Sequence, residues 1–238
     1  MRDGTENDFE HLLSPEQVAR VCGLSRWRRI GHNPVKSVQK PSARRQREVR
    51  PLPPLAVEQL RAHAGSRRRY GPRDAALLAL LAYGGLRPQE ALALEWDDVR
   101  ERTLLVEKAT DGQGGVKETK TGQGRTVRLL APLAADLAEW RELRADRGAL
   151  LFPTGSGGVW KDTDWHTWHR DAWKPACKAT GISSRPYYDL RHSFVSLLIH
   201  EGRNVVDVAR QAGHSPTMTL DVYSHVFRRV RHHRARVC

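Results

Sequence analysis

The run RDAALLALLAY (residues 73–83) constrains the fold more than any other stretch of the chain. After its first two residues it carries almost no polar side chain, and a helix that is apolar nearly all round must be buried. Gly84 and Gly85 follow directly, and glycine commonly ends helices. We therefore expect a central helix against which the other elements pack.

Further helical segments lie on both sides of this run. Helical spacing of apolar residues and Pro, Ser and Gly boundaries predict helices over residues 55–64, 88–94, 132–145, 163–180, 189–201, 205–212 and 216–223. Two strand-like stretches separated by glycine-rich turns lie between them, at residues 103–107 and 116–130. Helices, then short strands, then helices again are typical of a mainly α domain with a small antiparallel β-sheet, an α+β fold.

The first 50 residues differ from the rest of the chain. Residues 14–22 suit a short capped helix, and the string SPEQVARVCGLSRW resembles the start of a helix-turn-helix. Residues 33–54 are rich in proline and basic side chains and are typical of a linker. We expect a short N-terminal segment over residues 1–50 and one main domain with a basic tail over residues 51–238.

The charge of the chain favours a polyanionic partner. The net charge is +13, and basic residues are concentrated in residues 26–50 and 224–238. An Arg-rich coding bias or solvated tails would give a similar balance. Arginine forks suit phosphate oxygens, so double-stranded DNA is the expected partner. The candidate DNA contacts are Arg44, Arg45, Arg47, Arg228 and Arg229.

Cysteine usage and hydropathy indicate a soluble cytoplasmic protein. The three cysteines are far apart and form no CxxC pair, so neither a zinc site nor a disulfide framework is expected. No apolar run approaches the roughly 20 residues that cross a bilayer. The acidic N-terminus is unlike a signal peptide, and we expect no membrane association.

Two segments in the first half carry candidate chemistry. In GGLRPQEALALEWDDV (residues 84–99), Pro88 places Arg87 at a helix start, where an anion is favoured. Glu90 is spaced to reach back to Arg87, although such a pair is more often an ordinary surface ion pair. In KETKTGQGRTVRLL (residues 117–130), Lys120 precedes a turn, as in many exposed hairpins.

Two further segments lie in the second half. In YYDLRHSFVSLLIHEG (residues 187–202), Arg191 and His192 flank an apolar helical face, with Tyr188 one turn earlier and Asp189 as the expected cap. In ARQAGHSPTMTLDVYSHV (residues 209–226), His214 lies in a bend between two helices and Tyr223 at the end of the second. Singly, each of these residues has an ordinary structural explanation.

Taken together and in this order, the four segments resemble the tyrosine recombinase (phage integrase) family. The pieces GLRPQEALALEW, DLRHSF and GHSPTMTLDVYSHV carry the resemblance, which covers roughly residues 50–228. It implies a site-specific recombinase that cuts and rejoins DNA through a 3′-phosphotyrosyl intermediate, without metal or nucleotide. It also implies self-association, as a tetramer, on DNA.

The resemblance assigns roles residue by residue. Tyr223 matches the nucleophile, and Lys120 matches the general acid. The arginines that clamp the phosphate match Arg87 and Arg191. His214 matches a residue that hydrogen-bonds the phosphate. Supporting positions are Glu90 and His192.

Two departures from the family pattern leave alternatives open. Tyr188 stands where the family most often has His, and a phenol is a poorer base near neutral pH. The segment before residue 50 is shorter than the family's DNA-clamping domain, so it is expected to be a truncated remnant. A catalytically impaired, integrase-like protein that only binds DNA is the main alternative. An unrelated helical RNA-binding or scaffold protein is the third.

Overall fold

A computed structural model of the chain describes residues 49, 51–119, 122, 124–144, 148–182 and 186–237, with side chains from 188 to 230 in the last stretch. The predictions for residues 1–48 lie outside this description, including the N-terminal helix, the linker's first part and Arg44, Arg45 and Arg47. Lys120 also lies outside it. The division of the chain at residue 50 therefore stays a prediction.

The described chain is mainly helical, with two small antiparallel strand pairs, and this confirms the expected fold class. The elements are, in order, α1 (Pro54–Gly65), α2 (Gly71–Tyr83), α3 (Pro88–Ala91), β1 (Thr103–Val106), β2 (Lys108–Thr110), β3 (Val116–Glu118), β4 (Arg125–Arg128), α4 (Ala131–Leu143), α5 (Asp162–Trp168), α6 (Lys174–Thr180), α7 (Pro186–His200), α8 (Val205–Ala212) and α9 (Pro216–Val237). In the part of the chain that is described, no helix is long and apolar enough to cross a membrane.

Helix α2 is the centre of the core, as its sequence predicts. Every residue from Ala76 to Ala82 is buried, and the helix packs against α1, α4 and α7. Its one deeply buried charge, Asp74, accepts hydrogen bonds from Arg73 at 2.8 and 3.0 Å and from Trp168 Nε1 at 3.1 Å, and it also pairs with Arg67. These bonds link α2 to α5.

The predicted second strand is divided in the structure. Residues 116–130 form β3 and β4, with the turn around Gly122 between them, and β4 pairs with β1. β3 pairs instead with β2, a strand not predicted from the sequence. The β2–β3 turn forms because the Asp111 carboxylate accepts hydrogen bonds from the backbone N–H groups of Gln113 and Gly115, a local bond that acidic turn residues favour.

The predicted helix over residues 163–180 is interrupted by one wide turn. Residues His169–Trp173 form a π-helical segment between α5 and α6, and the backbone N–H of Lys174 bonds to the carbonyl of His169, five residues back. Pro175 follows and has no N–H to donate to the carbonyl four residues back. The hydrogen-bond register shifts there, as π-bulges allow.

Helix boundaries near the candidate site differ from prediction in three places. Helix α3 ends at Ala91 rather than near residue 94. Helix α7 begins at Pro186, so Asp189 lies in its first turn instead of capping it. Helix α9 continues to Val237, so Tyr223 lies in mid-helix rather than at its end. The continuation is physically reasonable, because Val226, Phe227 and Val230 extend the core-facing side.

Candidate active site

Most of the candidate residues from the sequence lie around one cleft of about 800 Å³. The cleft is bounded by the start of α3, by α5, by α7 and by the bend into α9. The candidates on its wall are Arg87, Tyr188, Arg191, His192, His214 and Tyr223. Three separate stretches of sequence are therefore brought together, as the order of the motifs predicts. Lys120 cannot be placed relative to them, because it lies outside the described residues.

Arg87 lies at the N-terminus of α3 and is held by Glu90. The Arg87 backbone N–H donates to Glu90 Oε2 at 2.8 Å, and Nη1 donates to Glu90 Oε1 at 2.8 Å. The Arg87 side chain keeps 40% of its surface exposed while Glu90 keeps 3%. The carboxylate thus lies beneath a guanidinium that faces the cleft, which is the pairing expected from the sequence.

A second arginine, Arg125, holds the same carboxylate and was not singled out from the sequence. It donates from Nη1 to Glu90 Oε1 at 3.0 Å and from Nη2 to Oε2 at 2.6 Å. Burial opposes the ionisation of Glu90, but the hydrogen bonds and charges of Arg125 and Arg87 outweigh it and lower the pKa to about 2. Glu90 is therefore ionised at neutral pH.

Arg191 forms part of the cleft wall and is largely buried, with 6% of its surface exposed. Its guanidinium donates to the carbonyls of Gly85 and Ala212, and Nη2 lies 2.9 Å from His214 Nε2. Burial, and then the charge of Arg87, lowers the pKa of Arg191 to about 9, so it stays protonated at neutral pH. These contacts fix the guanidinium between α2's end and the bend after α8.

His214 is positioned by the turn that follows α8. Gly213 adopts a left-handed φ of 63° and ends α8, and the His214 backbone N–H bonds to the carbonyl of Ala209 at 2.9 Å. Burial, followed by the charges of Arg191 and Arg87, lowers the pKa of His214 to about 3. The ring is therefore neutral near pH 7. Its Nδ1 is buried and has no hydrogen-bond partner among the described residues.

Tyr223 and His192 contact each other through their polar atoms. The Tyr223 side chain is fully buried, and its hydroxyl lies 2.5 Å from His192 Nδ1. Burial raises the pKa of Tyr223, whereas burial and the charge of Arg191 lower the pKa of His192. Both groups are therefore neutral near pH 7, and the geometry suits a hydrogen bond donated by the phenol to the imidazole.

The rest of the cleft wall carries residues of mixed character. Tyr188 lies on the first turn of α7 with 57% of its surface exposed. The wall formed by α5 and the π-helical segment was not predicted from the sequence, and its members are Asp162, Trp165, His166 and His169.

Arg228 and Arg229 are exposed on α9, outside the residues that line the cleft. No group of described His, Cys, Asp or Glu residues could hold a metal ion.

Sequence comparison finds relatives among named recombinases. The chain is 33% identical over 159 residues to the ICEBs1 integrase of Bacillus subtilis (strain 168), which covers 60% of this chain and 42% of that protein. It is 33% identical over 168 residues to tyrosine recombinase XerD of Pseudomonas aeruginosa, covering 66% and 51%. The chain spans about half the length of these relatives.

Structural comparison finds the same fold in solved recombinase structures. The Tn1549 transposon integrase in complex with circular intermediate DNA superposes with a TM-score of 0.64 at 22% identity, covering 82% of this chain and 69% of that one. XerA recombinase gives a TM-score of 0.58 at 21% identity, covering 78% and 62%. The model of the phage integrase family matches residues 52–229, so this chain belongs to the phage integrase family of tyrosine recombinases.

Proposed function

We propose that this chain is a site-specific DNA strand transferase with Tyr223 as its nucleophile. The observation that carries the proposal is the cleft itself, which brings two arginines, a neutral histidine and a tyrosine hydroxyl to one place. Cleavage of a phosphodiester by a hydroxyl nucleophile requires such groups. Negative charge develops on the non-bridging oxygens as the attacking oxygen approaches phosphorus, and positively charged and hydrogen-bond-donating side chains stabilise it.

Arg87 and His214 are suited to bind the phosphate. The Arg87 guanidinium faces the cleft, and its ion pair with Glu90 holds it in place while 40% of the Arg87 side chain stays exposed. His214 Nδ1 has no protein partner among the described residues, and Nε2 accepts from Arg191, so the proton belongs on Nδ1 as a donor for an anion. Arg191, largely buried in the cleft wall, adds a second positive charge.

The chemical step balances without an outside reactant. The Tyr223 oxygen forms a bond to phosphorus, and the bond from phosphorus to the 5′-oxygen breaks. The phenolic proton passes to His192 Nδ1, which is neutral and within hydrogen-bond distance. Lys120, by resemblance, supplies the proton to the leaving 5′-oxygen. The 5′-hydroxyl of another strand then attacks the phosphotyrosyl bond and releases Tyr223.

We assign to Tyr188 a role as hydrogen-bond donor, which differs from the role in proton movement of the histidine usual at this position in the family. Its exposed position at the cleft edge suits a hydrogen bond from the phenol to a DNA phosphate. A phenol hydroxyl is able to donate such a hydrogen bond. Proton acceptance from Tyr223 falls instead to His192, which touches the nucleophile.

The proposed partner is double-stranded DNA, bound in the cytoplasm by more than one copy of the chain. The net charge of +13 and the exposed Arg228 and Arg229 favour backbone contacts. Two solved relatives are complexes with DNA: the Tn1549 integrase with circular intermediate DNA, and XerH with its difH substrate. Assembly as a tetramer belongs to the same proposal.

A DNA substrate that traps the intermediate tests the proposal. A nick next to the cleavage site lets the released fragment diffuse away, so a covalent protein–DNA product accumulates. We expect the wild type and Tyr70→Phe, a tyrosine outside the cleft, to form this product, and Tyr223→Phe to form none. DNA retention by the wild type without a covalent product on any substrate would instead establish the binding-only alternative.

A further inference from the structure

Arg125 connects three parts of the candidate site. It begins β4, and its side chain is 8% exposed. Nη1 and Nη2 donate to the two oxygens of Glu90, while Nε donates to the carbonyl of Gln211 near the end of α8 at 3.1 Å. A single guanidinium therefore links the strand, the start of α3 and the end of α8.

Glu90 is fully occupied by this arrangement. Each carboxylate oxygen accepts one hydrogen bond from Arg87 and one from Arg125. A carboxylate offers about four acceptor sites, so none is left over. The two bonds from Arg125 fix the plane of the carboxylate, and that plane determines where the Arg87 guanidinium lies.

The same guanidinium also lies against the bend that carries His214. A Cβ atom placed on Gly213 would come within 3.2 Å of the Arg125 guanidinium. Gly213 has a φ of 63°, which favours glycine, and His214 follows it directly. Arg125 therefore abuts the backbone that positions His214, as well as the carboxylate that positions Arg87.

We propose that Arg125 is a positioning residue that sets the orientation of both Arg87 and His214 toward the scissile phosphate, without touching the DNA. The proposal rests on the proposed function of the cleft. Arg125 is enclosed by protein, since its side chain is 8% exposed and donates to Glu90 and to the carbonyl of Gln211. It is not among the residues that line the cleft, whereas Arg87 and His214 are.

Two substitutions at one site test the role. Arg125→Lys keeps the charge but cannot bind both oxygens of Glu90 in parallel, and Arg125→Met removes the charge as well. Arg128→Met is the matched control, because Arg128 lies on the same strand with 55% of its side chain exposed. Single-turnover formation of the covalent product on the nicked substrate is measured across protein concentration and pH.

We expect Arg125→Met to lower the rate at saturating protein by ~100-fold and Arg125→Lys by about tenfold, because small misplacements of catalytic groups are costly. The half-saturating concentration should change by less than about threefold, as for Arg128→Met. With two of its four donors gone, Glu90 acquires a higher pKa, so the rate of Arg125→Met should fall further as pH decreases from about 7 to 5. A wild-type rate in Arg125→Lys would overturn the proposal.

A second measurement needs no cleavage and separates this proposal from the proposed function. Carbon NMR titration of Glu90 in the DNA-free full chain should give a pKa of about 2 in the wild type. Arg125→Lys should raise it by roughly one unit or more. If the wild type forms no covalent product, the proposed function fails, and an unchanged Glu90 pKa in Arg125→Lys would overturn the role of Arg125 independently.

Discussion

The hydroxyl of Tyr223 lies 2.5 Å from Nδ1 of His192, and this contact pairs the proposed nucleophile with a neutral imidazole in the interior. Both groups belong to helices that pack against each other, α7 and α9. The residue in contact with the proposed nucleophile thus lies one position beyond Arg191 and is not the exposed Tyr188.

Two replacements of His192 should distinguish the effect of its hydrogen bond on the rate of covalent trapping from the effect of its protonation on that rate. His192→Phe removes the acceptor and should slow covalent trapping by ~100-fold or more, as loss of a general base does. In His192→Asn the side-chain oxygen takes the place of Nδ1 but does not titrate. Because burial lowers the pKa of His192, the wild-type rate should fall on acidification only below the ordinary titration range of imidazole, and His192→Asn should lose this fall.

The matched control for this experiment is His200→Asn, at the exposed end of the same helix. It should keep both the rate and the pH profile of the wild type. If the trapping rate of His192→Asn still falls at low pH, the group whose protonation slows the reaction is not His192, and this result would contradict proton transfer to His192.

Acidification should destabilise the DNA-free chain through its buried neutral histidines. The pKa of His214 is lowered to about 3 by burial and by Arg191, so the unfolded chain binds more protons between about pH 6.5 and 3. The free energy of unfolding should therefore fall with decreasing pH. The slope from His214 is at most about 1.4 kcal/mol per pH unit, and solvent in the cleft reduces it.

Urea denaturation at several pH values between about 7 and 5 measures this slope for the wild type and for His214→Gln. The substitution should flatten the dependence, because glutamine does not bind a proton. Equal slopes in the two proteins would show that His214 titrates normally.

Gly85 should tolerate no side chain. It has a φ of 61°, and a Cβ atom there would overlap the ring of Phe194, while its carbonyl accepts from Arg191. Gly181 also has a positive φ, 68°, but a Cβ atom there meets nothing within 4 Å. Gly181→Ala should cost about 1 kcal/mol, and Gly85→Ala should cost at least 1–3 kcal/mol more, through overpacking.

Thermal or urea unfolding of the two alanine variants gives the comparison directly. Gly85→Ala should also reduce covalent trapping in any folded fraction, because the acceptor for Arg191 shifts with the backbone. Equal stabilities for the two variants would mean that Phe194 moves aside without cost.

Asp74 should be among the most sensitive polar residues for stability. It is fully buried and bonded to Arg73, Arg67 and Trp168, so Asp74→Ala leaves buried donors without their acceptor. The expected loss is about 3–5 kcal/mol of unfolding free energy, measured by urea denaturation. The control is Asp171→Ala, which breaks an exposed pair with Arg170 and should cost less than about 1 kcal/mol.

The sequence predicted local features of the site better than long-range ones. The hydrogen bond that Arg87 donates to Glu90 spans three residues at a helix that begins with proline, so spacing alone predicts it. Arg125 lies 35 residues from Glu90, and its contact depends on which side of β4 faces inward and on the β1–β4 register. The positions of the glycines in the sequence do not determine that register.

Helix ends were missed where packing outweighed local signals. The sequence prediction ended helix α9 at Tyr223, although neither glycine nor proline follows it. The structure extends the helix because Val226, Phe227 and Val230 pack on the core. Helix α7 begins three residues before Asp189, at Pro186, and proline is a residue type that suits the first turn of a helix.

The continuation of α9 through Tyr223 has one mechanical consequence. Helix α9 runs from Pro216 to Val237 and contains neither glycine nor proline after its first residue. Sharp bends in helices arise mainly at such residues, so the backbone at Tyr223 has no hinge. The Tyr223 hydroxyl can therefore move away from His192 by rotation about the Tyr223 side-chain bonds or by movement of helix α9 as a unit.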